Sequence, residues 1–328
     1  MTDRRAFMAS LGAAALGTGL PALGQAQTAP WPTAKPITYV VPVFPGSTAD
    51  IIGRIVTQAL SESLRQTCVV DNKAGAGGLI GASAVAKAAP DGYTLLGGTS
   101  GTHAINISLY KNLPYDPVRD FEPVSLVGSL PNVLVVSPNL GVNSVAELIA
   151  LLKRDEKARL YGSAGVGTSP HLAGELFSQI IGVPLTHVPY KAQSGLMDVA
   201  SGQLAMKFDQ LSATMSMVQS GKIKVLAVTS ADRISQLPDV PTMIEAGVPG
   251  FEITSWHAVY APKGVPKAII DRLSAEVSKA VKAPGARAKL NELGVEVAGS
   301  TPEELAALMA REIPRWAAVI KTSGATLD

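Results

Sequence analysis

Apolar and polar positions along the chain follow two alternating periods. Short runs rich in Val, Ile and Leu, at 37–43, 68–70, 93–96, 133–136, 185–188 and 225–229, read as strands. Between them, apolar residues recur every three or four positions at 51–64, 79–88, 145–152 and 171–181, which predicts amphipathic helices. The alternation is that of an α/β chain with mixed, mostly parallel sheets. Ser144 with Glu147, and Thr301 with Glu304, read as capping boxes. The second has Pro302 at the first helical position and opens an amphipathic segment, 302–320, expected to pack back on the body.

Two stretches interrupt the alternation. A long strand-like stretch near 121–131 ends in Leu130-Pro131, and 251–260 reads as one extended strand containing Trp256. Both are expected crossovers, where the chain leaves a first domain, builds a second and returns. The split is then 27–128 plus 256–328 for one domain and 129–255 for the other. Two crossing strands make a hinge, with a ligand cleft at the carboxyl ends of the strands.

The first residues carry an export signal. Arg4-Arg5-Ala6-Phe7-Met8 is a twin-arginine region, an apolar stretch runs to Leu23, and Gly24-Gln25-Ala26 is a small-residue cleavage site. Residues 1–26 are therefore expected to be removed and the remainder to be a soluble periplasmic protein. The stretch is too short and too glycine-broken for a membrane anchor.

Composition narrows the function classes. Apolar residues make up 47% of the 328, enough for the cores of two domains, and the net charge is only +2 with the charges interspersed. Aromatics are 5% and no basic stripe is present, which argues against nucleic acid as a partner. The single cysteine, Cys68, sits before Val69-Val70 and reads as a buried, inert thiol.

Candidate chemistry concentrates in two glycine-rich turns. Phe44-Pro45-Gly46-Ser47-Thr48 lies between a strand and a helix, with Asp50 in the first helical turn. Ser163-Ala164-Gly165-Val166-Gly167-Thr168-Ser169 repeats that arrangement and is followed by His171. Each places unpaired amides and the positive end of a helix dipole where an anion can sit. Asp50 reads first as a stabiliser of its helix N-terminus. Thr99 and Ser100, at another strand end, offer hydroxyls, and Tyr190-Lys191 ends a further strand. Asp209 either holds a ligand ammonium or caps the next helix.

Rival chemistries lack their residues. The cluster Gly75, Gly77 and Gly78 lies in the wrong crossover for a dinucleotide fingerprint, and Gly165-Val166-Gly167 lacks the acid that should end the next strand. No G-x-S-x-G elbow is present. His103, His171, His187 and His257 are scattered, without metal-ligand spacing. An exported cofactor-dependent oxidoreductase stays open as the alternative reading, as does a receptor that feeds a sensor.

The chain resembles the Bug-type periplasmic solute-binding proteins of tripartite tricarboxylate transporters, from about residue 36 to the end. The resemblance is carried by Pro45-Gly46, Asp50 and Arg54; by Gly75-Ala76-Gly77-Gly78 and Ala89-Pro90-Asp91-Gly92-Tyr93-Thr94; and by Gly162-Ser163, Gly165-Val166-Gly167 and His171-Leu172. His187-Val188-Pro189-Tyr190-Lys191, Pro238-Asp239-Val240-Pro241-Thr242 and Trp256 complete it. It implies a two-domain, type II-like periplasmic-binding-protein fold that closes on a small carboxylate, held by backbone amides and waters at Pro45–Thr48 and Ser163–Ser169. It implies membrane permease subunits as partners, no catalysis and no cofactor; a freely diffusing receptor is expected to be a monomer. Ser47 stands where the family has a second glycine, and Ala192 where it has a third residue Gly after Tyr-Lys. Both departures bear on the identity of the ligand.

Overall fold

β-branched and leucine-rich runs do form the strands, and the helices between them bury one face each. The computed structural model describes residues 31–190 and 195–323. The signal segment and Lys191 lie outside them. The strands are β1 (Ile37–Val41), β2 (Cys68–Asn72), β3 (Thr94–Thr99), β4 (Phe121–Val136), β5 (Leu160–Ser163), β6 (Thr186–Pro189), β7 (Met206–Gln210), β8 (Lys224–Val228), β9 (Thr254–Pro262) and β10 (Glu296–Val297). The helices are α1 (Thr48–Leu64), α2 (Leu79–Ala86), α3 (Asn106–Leu109), α4 (Val145–Arg154), α5 (Ser169–Ile181), α6 (Leu196–Ser201), α7 (Leu211–Gln219), α8 (Lys267–Lys282), α9 (Pro284–Glu292) and α10 (Pro302–Ser323).

The strands join in the order β2-β1-β3-β9-β4-β7-β5-β6, with β8 and β10 also pairing β4. Pairing is parallel within β2-β1-β3 and within β7-β5-β6. Every pairing made by β4 or β9 is antiparallel. The sheet is thus mixed, and antiparallel pairings outnumber parallel ones. The two long strands that connect the halves run against their neighbours.

One strand replaces two predicted ones. β4 is sixteen residues long. Its first part pairs β9 as far as Pro131↔Thr254, and from Asn132 onward it pairs β7 and β8. Pro131 has no N–H to donate, and it falls at this handover, where its loss is tolerated. Ser129 and Trp256, at the two expected crossovers, face each other in the β4–β9 ladder.

The helices are capped as their sequences direct. Ser47 Oγ accepts the Asp50 N–H at 3.3 Å and starts α1, whose Ile52, Val56, Leu60 and Leu64 form one buried stripe. Thr301 and Glu304 make the full reciprocal box, at 3.2 and 2.9 Å. Glu147 instead reaches Asn143 N–H, at 2.7 Å, while Ser144 Oγ accepts from Glu147 N. Cys68 is half-buried rather than buried, because β2 is an edge strand; desolvation still pushes its thiol up, against a hydrogen bond from Ser61.

α10 returns to the body through Leu305, Met309, Trp316 and Ile320. Trp316 is 1% exposed and its Nε1 donates to Glu312 Oε2 at 3.0 Å. Trp316→Ala is expected to lower the unfolding free energy by about 3–5 kcal/mol, measured by urea denaturation. A loss below about 1 kcal/mol would show that α10 is not part of the cooperative core.

Candidate functional site

The loops that follow β1, β2, β3, β5 and β6 converge on one cavity of about 740 Å³. Its wall is largely apolar, through Pro42, Val43, Phe44, Val166, Pro170 and Tyr190. Ser47 and Ala49 bring the N-terminus of α1 to the wall, and Ser169 and Pro170 bring that of α5. Two helix N-termini therefore flank a single space, which favours a bound negative charge.

The first loop satisfies much of its own polarity. Gly46 takes φ +80°, and its N–H donates to Asp50 Oδ2 at 2.9 Å. Ser47 N–H donates to Phe44 O at 3.3 Å. These two amides are spent inside the loop. Pro45 and Gly46 are exposed and do not line the cavity, whereas Phe44 and Ser47 do. Asp50 also accepts from Arg54 Nε at 3.0 Å and Asn72 Nδ2 at 2.9 Å. Burial opposes its ionisation, but the hydrogen bonds from Arg54, the Gly46 amide and Asn72 outweigh it and hold the carboxyl below its usual range. Asp50 thus organises the helix start. Thr48 is buried behind the lining, with Oγ1 at 2.6 Å from Ser212 Oγ on α7.

In the second loop, Ala164, Gly165, Val166, Gly167, Thr168 and Ser169 all line the cavity. Ser163 does not. Its Oγ accepts Gly165 N–H at 3.0 Å and lies 2.6 Å from His187 Nε2. Thr168 Oγ1 donates to Gly165 O at 2.7 Å. These hydroxyls shape the loop; in the first turn of α5 Pro170 has no N–H, so Ser169 and His171 carry the amides at that terminus. His171 also stands behind the lining, where its Nδ1 accepts Gly167 N–H at 3.4 Å and its ring lies 4.2 Å from that of His187. Desolvation holds His171 at about 4. For His187, desolvation and then the nearby His171 and Lys207 bring the value to about 3. Both rings are neutral at neutral pH.

Thr99, Ser100, Tyr190 and Asp209 reach the cavity wall. Tyr190 OH donates to Asp198 Oδ2, and desolvation with the Asp198 charge pushes the phenol up to about 12. Asp209 accepts from Lys207 Nζ at 2.7 Å and from Gln210 N–H at 2.9 Å. Asp209 therefore does not cap α7 through its side chain, since its N–H partner is the adjacent residue.

Residues beyond those anticipated also line the space. The glycine run Gly75, Gly77 and Gly78 does so, with all three at positive φ. Its place at the carboxyl end of β2, before a helix, was the available signal. Gln210, Ser255 and His257 come from the strands that carry the crossover. His257 is not merely structural, as it lies at the wall with Nε2 3.5 Å from Gln210 Nε2 and is held at about 4 by burial. Among the described residues, no group of three His, Cys, Asp or Glu could hold a metal ion, and no helix is long and apolar enough to cross a membrane.

Residues 52–325 match the tripartite tricarboxylate transporter family receptor. The chain belongs to that family. It is 36% identical to protein BugT of Bordetella pertussis over 98% of both chains. Among solved structures, it is 40% identical to R. palustris Rpa4515 with adipate, at a TM-score of 0.86, covering 90% of this chain and 99% of that one. It is 32% identical to MatC (Rpa3494) from Rhodopseudomonas palustris with bound malate, at a TM-score of 0.83, covering 88% and 99%. The two-lobed α/β fold of this receptor family is therefore that of periplasmic binding proteins, and its role is solute binding.

Proposed function

We propose that the chain is an exported receptor that captures a small organic acid between two lobes and delivers it to the membrane permease of a tripartite tricarboxylate-type transporter. One observation carries the reading. The N-termini of α1 and α5, on opposite halves of the sheet, face the same cavity. A carboxylate there accepts several charge-assisted hydrogen bonds, each worth roughly 1.5–3 kcal/mol. Three or four of these, less the entropy of association, suffice for about −8 kcal/mol, a micromolar affinity. Relatives solved with adipate and malate support an acid as the ligand class.

On this reading residues 1–26 direct twin-arginine export, and the lobes are 27–128 plus 256–328 and 129–255. They would move about the β4–β9 ladder near Ser129 and Trp256. The ligand would touch Phe44, Ser47, Thr99, Ser100 and the stretch from Ala164 to Ser169, with Tyr190 and Asp209 at the wall. Lys191, next to Tyr190, completes the proposed set.

A thermal-shift screen of residues 27–328 against adipate, malate, citrate, benzoate, glutamate, NAD and ATP tests this. At a hundredfold excess over its dissociation constant, a ligand of the folded state adds about 2.7 kcal/mol of stability. A raised Tm with one or more acids is expected. A rise with the nucleotides alone would overturn the receptor reading in favour of a cofactor-binding enzyme.

A further inference from the structure

A cavity proposed to take an anion carries one charged side chain on its described wall, and that charge is negative. It belongs to Asp209. A bare carboxylate facing the space would repel an acid ligand. Behind it, two positions back on the same face of β7, lies Lys207. Lys207 is wholly buried and does not line the cavity. Its Nζ donates to Asp209 Oδ2 at 2.7 Å and to Phe208 O at 3.4 Å. The stem runs beside Gly162, where an added Cβ would lie 3.6 Å from Lys207 Cδ. The cation is therefore placed where a ligand cannot reach it, on the far side of the acid it neutralises.

The surroundings supply no second cation among the described residues. From β6, His187 is hydrogen-bonded to Ser163, and Tyr190, just past the end of that strand, donates to Asp198 of α6. From α5, the His171 ring lies tilted 4.2 Å from that of His187, with its Nε2 3.8 Å from Glu175 Oε1; from β9, His257 lies beside Gln210. Burial keeps all three imidazoles neutral at neutral pH. Burial also works against the charge on Lys207, with Asp209 opposing that shift. The pair is thus mutually dependent: each ion is tolerated in the dry wall because of the other.

We infer that Lys207 is a specificity-determining residue that acts through Asp209, cancelling the charge of the described wall from behind so that the cavity admits an anion. This rests on the acid-capture reading above. It assigns discrimination to a residue that touches no ligand.

The test uses Lys207→Met, which retains the volume of the stem, and the double variant Lys207→Met/Asp209→Asn, in which neither charge remains. Adipate and malate are the probes, and binding is followed by calorimetry at about pH 8, with the Tm of each ligand-free variant measured alongside. At about pH 8, Lys207→Met is expected to bind at least about tenfold more weakly than the parent. The double variant, with neither charge, should regain most of the parent's affinity. Parental binding by Lys207→Met would overturn the inference alone. A loss that Asp209→Asn does not relieve would also overturn it, since a purely structural role predicts that pattern. A parent protein that binds none of the screened acids would overturn the receptor reading and this inference with it.

Discussion

Lowering the pH from about 6.5 to about 4 is expected to remove several kcal/mol of stability from the folded chain. Three histidines are buried, His103, His171 and His257, and His187 is half-buried. Desolvation holds His103 and His187 at about 3 and His171 and His257 at about 4, against an ordinary value of 6.5. His103 illustrates the cause, with its ring stacked on Tyr260 at 3.7 Å and edge-on to Phe121 at 4.7 Å. The unfolded chain takes up protons at these four sites near pH 6.5, while the folded chain refuses them until about pH 4. The unfolded state therefore binds more protons across that window, so stability is fully present above it and is lost as pH falls through it. Each histidine contributes up to about 1.4 kcal/mol per pH unit, so the three buried ones give a slope of about 4 kcal/mol per unit and half-buried His187 adds a smaller share. Asp50, Asp91 and Asp116, all held below the usual carboxylate range, add their losses only at still lower pH. Calorimetric Tm values taken stepwise from about pH 8 to about pH 4 should stay level and then fall steeply. A Tm unchanged down to about pH 5 would mean that these rings accept protons in the folded state.

Replacing Gly167 with alanine is expected to weaken ligand binding by about 30-fold or more, with a smaller effect on the ligand-free Tm. The second loop does not only face the cavity; it also rests on the other half of the molecule. A Cβ at Gly167 would lie 2.7 Å from Asn106 Oδ1 and 3.1 Å from Leu109 Cδ2. In the opposite direction, a Cβ at Gly101 would meet Gly167 O at 2.9 Å, and one at Gly77 would meet Val166 O at 2.7 Å. Gly101 and Gly77 thus let backbone approach backbone, and Gly167 lets the Asn106 and Leu109 side chains pack against the loop. Left-handed strain at φ +80°, roughly 1–2 kcal/mol, weighs on the chain with or without ligand. On the proposed capture between two lobes, the clash with Asn106 weighs on the form in which the halves touch and so appears in the dissociation constant. Gly101→Ala should reproduce the loss from the other side of the contact. Gly165→Ala separates the two effects, because its Cβ would meet nothing nearer than Tyr190 O at 3.8 Å although φ is +117°. It should lose less affinity than Gly167→Ala. Equal losses in both would show that strain in the loop, and not contact between the halves, governs binding.

Much of this was legible before any fold was known. The periods of 37–43, 51–64 and 171–181 announced strand and helix, because the side chains of each element must alternate or recur to bury one face. The capping residues Ser144 and Thr301 marked helix starts through local hydrogen bonds that do not need the rest of the chain. The two glycine turns were visible as candidate anion cradles for the same reason. Less legible was β4, since Pro131 suggested a break where the strand merely exchanges partners. The site shows the same division. Ser163 and His171 looked like ligand contacts, but each is engaged by the loop's own backbone, with Ser163 also beside His187.

Sequence alone determined the α/β class, the helix starts and the two anion-suited turns, because these depend on residues within a few positions of one another. Only the tertiary structure decided which amides remain free, because Gly46 and Ser47 lose theirs to partners set by the folded loop. It also decided that Gly75, Gly77 and Gly78 share a wall with residues about 90 positions away, and that His257 joins them on a returning strand. The charge of that wall depends on Lys207, whose burial against Asp209 follows from the pairing of β7 with β4 and β5. Strand order and register bring distant residues together, and no local pattern encodes either.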